Sequence, residues 1–470
     1  MSRKRKKKYS PLIKYLFTSM LIFTFIMMGL IYFIDILPRN YFFLLSGIIF
    51  MVDLVFSVLL FSHKTFLRVL GGLFTTAYIL ILVLAIIYEL NTIDFLKKIG
   101  EKEYITLNYN VVVLNTSKYT DLASIKGEKV GVAKDYIEEV KTKLNKEINV
   151  KYQEYLNYSE LADKLLNKNI NVIILEDSAL AILKEEYDSF DSKISIIYEY
   201  SVDVKQKSIK DKVDITNKPF NVYISGIDTY GSINSVSRSD VNMIMTVDPV
   251  NKKIILTSIP RDYYVLLHGK SEYDKLTHAG IYGVEESVLT IEDLLDTKIN
   301  YYIKVNFTSL VKVVNTLDGI DVDSKYSFKS SDNYTFKKGV NHLDGAKALS
   351  FSRERKALPE GDKSRGENQQ AVLTAIINKA MDENIIKNYN SMLKSLKSSL
   401  ITNLSNREIT NFIKMQLKDK SKWTIEYINL DGLDGYEYTY SYTKSKLYVM
   451  IPDEESLTNA KEQISSIFKK

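Results

Sequence analysis

Residues 349–370, LSFSRERKALPEGDKSRGENQQ, hold Arg353, Arg355 and Arg365 in a chain that otherwise favours lysine. Ten of its 63 basic residues are arginine. Six of these follow residue 70: Arg238, Arg261, Arg353, Arg355, Arg365 and Arg407. Five fall in three short motifs, SRSD (237–240), PRD (260–262) and the stretch above. Lysine serves solubility well. Arginine adds a planar fork of donors and a permanent charge, which suit bidentate contact with phosphate or carboxylate. Each arginine taken singly reads as well as a structural ion pair with a nearby acid, such as Asp240, Asp262, Glu354 or Asp362. Five gathered in motifs point to an anionic ligand.

Two acids accompany them. Asp228, in SGIDT, follows a predicted strand, and Asp240 lies twelve residues later. Hard carboxylates beside a phosphate-binding cluster suit Mg²⁺, which would neutralise a pyrophosphate and make it a better electrophile. Other catalytic templates are absent: no phosphate loop, no H-E-x-x-H, no G-x-S-x-G. His268, His278 and His342 have no metal-ligand spacing, and His278 in KLTHA reads equally as pocket wall or fold support. With no cysteine, disulfides, thiolate metal sites and Cys nucleophiles are excluded. The net charge of +6 equals the contribution of Arg3, Lys4, Arg5, Lys6, Lys7 and Lys8, so the rest is neutral and gives no case for nucleic-acid binding.

Something must hold these residues in place. Runs at 12–34, 41–61 and 66–88 are each long and apolar enough to span a bilayer core of about 30 Å. The basic start predicts a cytoplasmic N-terminus, and three spans then carry everything after about residue 90 across the membrane. Asp53 falls mid-span and reads first as a carboxyl hydrogen-bonded between helices. The expected domains are a membrane anchor (1–100), an accessory domain with linker (101–214) and a catalytic domain (215–470). In the accessory region strands alternate with helices, predicting a parallel wound sheet. Its run DLASIKGEKVGVAKD resembles the opening of solute-binding-protein lobes, but its size favours a structural or protein-contact module. Residues 201–217 read as a linker. Beyond it, VNMIMTVD–PVNK–KIILTSIP predicts a hairpin. VEESVLTIEDLLD, LDGAKALSFSR and SRGENQQAVLTAIINKAMD predict helices, NYYIKVNF a strand, and SLVKVVNTLDG a helix capped at Gly319. The fold class is α/β.

The motifs GIDT (226–229), SRSDVNM (237–243), SIPRD (258–262), KLTHA (275–279), LDGAKALSFSRER (343–355) and DKSRGENQQ (362–370) resemble, in that order, the LytR–CpsA–Psr family of bacterial cell-envelope proteins. The three spans and accessory module resemble its capsule-type members. The resemblance implies an α/β/α sandwich with an apolar tunnel for a polyprenyl tail. It implies a phosphotransferase that moves a glycopolymer, capsular or teichoic-acid-like, from a polyprenyl-pyrophosphate carrier to peptidoglycan. It assigns Mg²⁺ to Asp228 and Asp240, and the pyrophosphate to Arg238, Arg261, Arg353, Arg355 and Arg365 with Lys275 and Gln369. Asp228, Asp240 and Arg261 are the expected catalytic residues. The family usually reads Arg-Gln where this chain has Asn368-Gln369. The resemblance places the domain at the outer face of a multi-pass cell-membrane protein, with envelope polymer assembly proteins as possible partners. A pyrophosphate hydrolase and a non-enzymatic membrane regulator are the alternative readings.

Overall fold

A computed structural model of the 470-residue chain describes residues 10–99, 104–187, 189–205, 213–227, 237–381 and 400–469. Three apolar helices come first: α1 (Pro11–Ile34), α2 (Arg39–Leu60) and α3 (Thr65–Ile99). Each is long and apolar enough to cross a membrane. Helix α1 starts with Pro11 in its first turn and Ser10 as cap, its Oγ accepting from the Leu12 N–H at 3.3 Å. Asp53 is buried in α2 and accepts from the Thr24 hydroxyl of α1 at 3.3 Å, the interhelical bond expected of it.

A five-stranded sheet follows, built from β1 (Tyr104–Leu114), β2 (Lys129–Ala133), α4 (Ile137–Leu144), β3 (Lys151–Tyr155), α5 (Tyr158–Leu166), β4 (Val172–Glu176), α6 (Asp177–Glu186), α7 (Phe190–Lys193) and β5 (Ile194–Lys205). Its strand order is β3-β2-β4-β1-β5. Strand β4, VIILE, is buried along its whole length, as a strand covered on both faces must be. Val111, Val130 and Ile174 pack toward α4, while Val112, Ile173 and Leu175 pack with α5 and α6. Strands β2, β3 and β4 are parallel, but β1 runs antiparallel to β4 and β5, so the sheet is mixed where a parallel one was expected. Residues 201–205 belong to β5 rather than to a linker. Half-buried Val202 and Val204 alternate with exposed Ser201, Asp203 and Lys205, a period too short to stand out among polar neighbours.

The second sheet takes β6 (Phe220–Ile227), β7 (Ser239–Asp248), β8 (Lys253–Ile259), β11 (Tyr301–Asn306), β16 (Leu400–Thr402) and β17 (Thr424–Asn429), in the order β16-β11-β6-β7-β8-β17. The predicted hairpin is β7–β8, its turn held by Asp248 accepting from Val250 and Asn251 N–H. Between and after these strands lie β9 (Tyr264–Leu266), β10 (Tyr273–Lys275), α8 (Leu276–Ala279), α9 (Val284–Leu295), α10 (Phe307–Thr316), β12 (Ile320–Ser324), β13 (Phe328–Lys329), β14 (Thr335–Phe336), β15 (Gly339–Leu343), α11 (Gly345–Arg353), α12 (Asp362–Ala380), α13 (Asn406–Lys418), β18 (Gly432–Thr439), β19 (Tyr442–Pro452) and α14 (Glu454–Phe468). The turn after α10 ends as predicted at Gly319, whose φ of 79° lies in the left-handed region and whose N–H reaches the Val314 carbonyl at 3.0 Å.

Helices cover both faces of this sheet. Ile255 and Ile259 of β8 join Val288 and Ile291 of α9 and Leu457 and Ile464 of α14 in one core. Ser258, alternating with them, faces α12, where a Cβ on Gly366 would meet its Oγ at 2.7 Å. Glycine is therefore what lets α12 approach β8 so closely. This is the α/β/α layering that the motifs imply. Helices α1–α3 and α13 belong to one compact unit, and the two sheets with their remaining helices to another.

Candidate functional site

Strand direction gathers the motifs. Strands β6, β8, β11 and β17 all end at one edge of the six-stranded sheet, where β7, antiparallel to its neighbours, begins. Asp240 sits at the start of β7, Pro260 and Arg261 follow β8, and Asn429 closes β17. The first turns of α12 add Asp362, Lys363, Arg365 and Gln369. These residues, with Ser258 and Gly366, line one cleft. Ligands of α/β sheets commonly bind outside the carboxyl ends of strands, and the cleft lies at such an edge.

The side chains converge as a charge network. Arg261 Nη1 lies 2.9 Å from Asp240 Oδ1, which also accepts from the Thr277 hydroxyl at 3.3 Å. Arg261 Nε lies 3.4 Å from Asp262, which lies 3.4 Å from Lys275 Nζ. Arg365 pairs with Asp362. The structural ion-pair reading and the anion-site reading thus meet in the same residues. Burial alone would raise the Asp240 pKa, but Arg261, Arg238 and Arg365 outweigh it and hold the carboxyl below its ordinary range. Burial, aided by neighbouring Arg261 and Arg355, lowers the Arg365 pKa against the opposing pull of Asp362 and Asp240. Extra negative charge here would relieve arginine crowded by arginine. The cavity holds only about 20 Å³, the room of one water, so a phosphate must displace some of these pairs.

Of the other predicted residues, Gln369 lines the cleft, and Arg238, Lys275, Arg353 and Arg355 are not among its lining residues. Arg355 is exposed but close enough to influence Arg365. Arg353 stacks over Phe307 at 4.2 Å, just past the end of β11. Arg238 is paired with Glu185 of α6. Gln369 donates to the Ser352 carbonyl at 3.3 Å, tying α12 to α11. Asn368, where the motif pattern has arginine, is buried and donates to the Phe351 carbonyl at 3.1 Å. Next to it, Gln370 Nε2 donates to Leu256 O and Ile428 O, both at 2.9 Å, bridging β8 and β17. His278 is fold support: buried, with Nδ1 2.7 Å from Asp274, whose other oxygen accepts from the Ser441 N–H.

Asp228 lies outside the described residues. Among those described, no three His, Cys, Asp or Glu side chains form a metal-binding group. Of the two carboxylates assigned to the ion, Asp240 is the one described, and it supplies one hard, ionised oxygen donor of the kind Mg²⁺ takes, so the fit extends to one of the assigned ligands. Sequence reasoning missed Asn429, whose Oδ1 is buried in the cleft without a hydrogen-bond partner, as is Arg261 Nε. Nothing local marks Asn429, because only the pairing of β17 with distant β8 brings it there.

Residues 188–464 match the LytR_cpsA_psr family. The chain is 34% identical over 266 residues to the polyisoprenyl-teichoic acid–peptidoglycan teichoic acid transferase TagU of Enterococcus faecalis, covering 56% of this chain and 84% of that protein. It is 38% identical over 216 residues to TagU of Bacillus subtilis, covering 46% and 69%. The crystal structure of B. subtilis TagV aligns at 29% identity with a TM-score of 0.46, over 54% of this chain and 98% of that one. The family match takes in every strand of the sheet that bears the cleft, and it spans more than half of the sequence: the chain belongs to the LytR_cpsA_psr family and is a transferase.

Proposed function

We propose that this protein transfers a glycopolymer from a polyprenyl-pyrophosphate carrier to peptidoglycan. The observation that carries the reading is that Arg261, paired with Asp240, and Arg365, paired with Asp362, line one cleft at the strand ends. Arg261, Arg365 and Gln369 bind the two phosphates, with Arg238, Arg353, Arg355 and Lys275 around them. A peptidoglycan hydroxyl attacks the phosphorus bonded to the sugar. A new P–O bond forms, the bridging P–O bond of the pyrophosphate breaks, polyprenyl phosphate leaves with that oxygen, and the hydroxyl's proton passes to the leaving phosphate. Phosphoryl transfer depends mostly on positioning and charge stabilisation, which guanidinium forks provide. Asp240, held ionised by its arginines, is a weak base; its part is to orient Arg261 and to offer a cation ligand.

Asp228 and Asp240 would hold Mg²⁺, which when bound supplies further neutralisation of the pyrophosphate. The three apolar helices anchor the protein in the cell membrane, N-terminus cytoplasmic, and keep the transferase outside and near its lipid-borne substrate. The polymer is capsular or teichoic-acid-like, and envelope assembly proteins supply it.

The test incubates the full chain with a polyprenyl-pyrophosphate glycan, Mg²⁺ and peptidoglycan fragments, with mass spectrometry of the products. A phosphodiester-linked glycan, missing with Arg261→Ala and diminished by a chelator, is expected. Lipid phosphate without linked glycan would make the activity hydrolysis. No turnover and no lipid binding would leave a regulator.

A further inference from the structure

Beside the cleft lies an exposed face of tyrosines. We propose that it binds a neutral amino-sugar strand, the carbohydrate of the acceptor; this rests on the transfer reading above. Two short sheets build the face. In β9–β10, Tyr264 and Tyr273 stack with centroids 5.0 Å apart and planes 26° off parallel. In β18–β19, Tyr436 and Tyr448 are cross-strand partners with centroids 6.0 Å apart. Tyr264 donates its hydroxyl to the Tyr438 carbonyl at 2.9 Å, and Tyr440 N–H reaches the Tyr273 carbonyl at 3.0 Å, so the two sheets are stitched together. Tyr273, Tyr436 and Tyr438 remain 50%, 64% and 54% exposed. Clustered exposed rings mark an interaction surface rather than scattered surface residues.

The face runs into the cleft. Met450, two residues beyond Tyr448, donates its N–H to the Asp262 carbonyl at 2.7 Å, beside Arg261. The Tyr448 hydroxyl, raised chiefly by burial and by Asp434, also feels Asp262 and Asp362. A ligand lying on the tyrosines therefore reaches the reacting phosphates from the solvent side.

The chemistry selects the occupant. A tyrosine ring is flat and apolar with one polar tip, which matches a pyranose with C–H faces and hydroxyl edges. Asp434, on the tyrosine side of the hairpin, accepts from Tyr448 at 2.7 Å, and the Lys446 amine, 5.9 Å from the centre of the Tyr438 ring, has its charge matched by Glu437. Carboxylates accept hydrogen bonds from sugar hydroxyls and amides and repel a polyanion, which assigns the face to the acceptor rather than to a phosphate-rich donor. A bilayer contact would display a run of aliphatic side chains; here Leu266, the cross-strand partner of Tyr273, stands among tyrosines, while exposed Leu433, paired with Ile451, alternates with Tyr436 and points to the other side.

The probe is a soluble N-acetylglucosamine hexamer, titrated against the full chain in detergent. Wild type is expected to bind it. The Tyr436→Ala/Tyr438→Ala pair should bind at least about tenfold more weakly, ~1.4 kcal/mol, and the Phe pair within about threefold of wild type. Arg261→Ala should bind the hexamer like wild type while failing in transfer, which separates this inference from the activity reading. Should the Ala pair not fold, nitration of wild-type Tyr436 and Tyr438 decides: the hexamer is expected to protect them. Equal binding by the Ala pair, no protection, or preference for polyglycerol phosphate or lipid vesicles over the hexamer would overturn the proposal.

Discussion

The two sheets treat their strand-end acids in opposite ways. At the edge of the six-stranded sheet, Asp240, Asp262 and Asp362 each face a guanidinium, and the charges are balanced in clusters. In the five-stranded sheet, Glu176 at the end of β4 is 2% exposed and takes its hydrogen bonds from Ser178, while burial pushes its pKa up to about 8. Around it lie rings rather than arginines, with Tyr136 and Tyr158 stacked at 5.7 Å, and the cation that feels it is the buried Lys304 amine, whose own pKa burial lowers to about 8. A charge network kept ionised at rest is equipped to exchange partners with an incoming anion. A carboxyl pushed up by burial and hydrogen-bonded by its own Ser178 is not equipped in that way.

The sharpest break of this comparison is Arg261→Ala. It removes a fork from the cleft and leaves Asp240 without its main partner; transfer should fall on the order of 10²–10³-fold, read as kcat/KM for linked product. Arg261→Lys should recover little of it, since the fork and not only the charge is used. The second is Glu176→Gln, and here the two acids differ in sign. The folded pKa of Glu176 is raised from 4.5 to about 8, so folding binds a proton in that window and stability falls as pH rises through it. Gln should flatten that fall, gaining on the order of 1–3 kcal/mol near pH 8 in pH-resolved thermal unfolding. Asp240, with its pKa lowered from 3.8, contributes stability above that value that is lost as pH falls through its lower folded pKa; Asp240→Asn should remove this acid-side loss. Gly366→Ala comes next. Its Cβ would strike Ser258 Oγ, costing roughly 1–3 kcal/mol in thermal unfolding, and adding Ser258→Ala should restore most of it. Smallest is Lys141→Ala in the accessory sheet's α4, whose partner Glu138 is 80% exposed; unfolding should shift by less than about 0.5 kcal/mol.

Much of this was readable from the chain. The apolar runs, the β7–β8 hairpin, the helices α9 to α12 and the cap at Gly319 follow from local pattern, which carries period and punctuation. Pattern does not carry partners. Nothing in VVVLN says that β1 will run antiparallel to β4, nor does WTIEYIN say that β17 will lie beside β8 and bring Asn429 to Arg261. Arginine scarcity exposed Arg261 and Arg365, whose chemistry is distinctive, but not Gly366, whose part depends on how closely two layers approach. Residue type likewise left His278 undecided until its bond to buried Asp274 was seen.

Gln370 has a wider consequence. By joining the carbonyls of Leu256 and Ile428, its amide acts as an index pin between α12 and two strands. An insertion or deletion of one residue between Gln370 and Arg365 would turn the guanidinium by about 100° and shift it by about 1.5 Å relative to the pin. The five-residue offset between them is therefore under the same constraint as the arginine itself, and any redesign of this helix must treat Arg365 through Gln370 as one indivisible block.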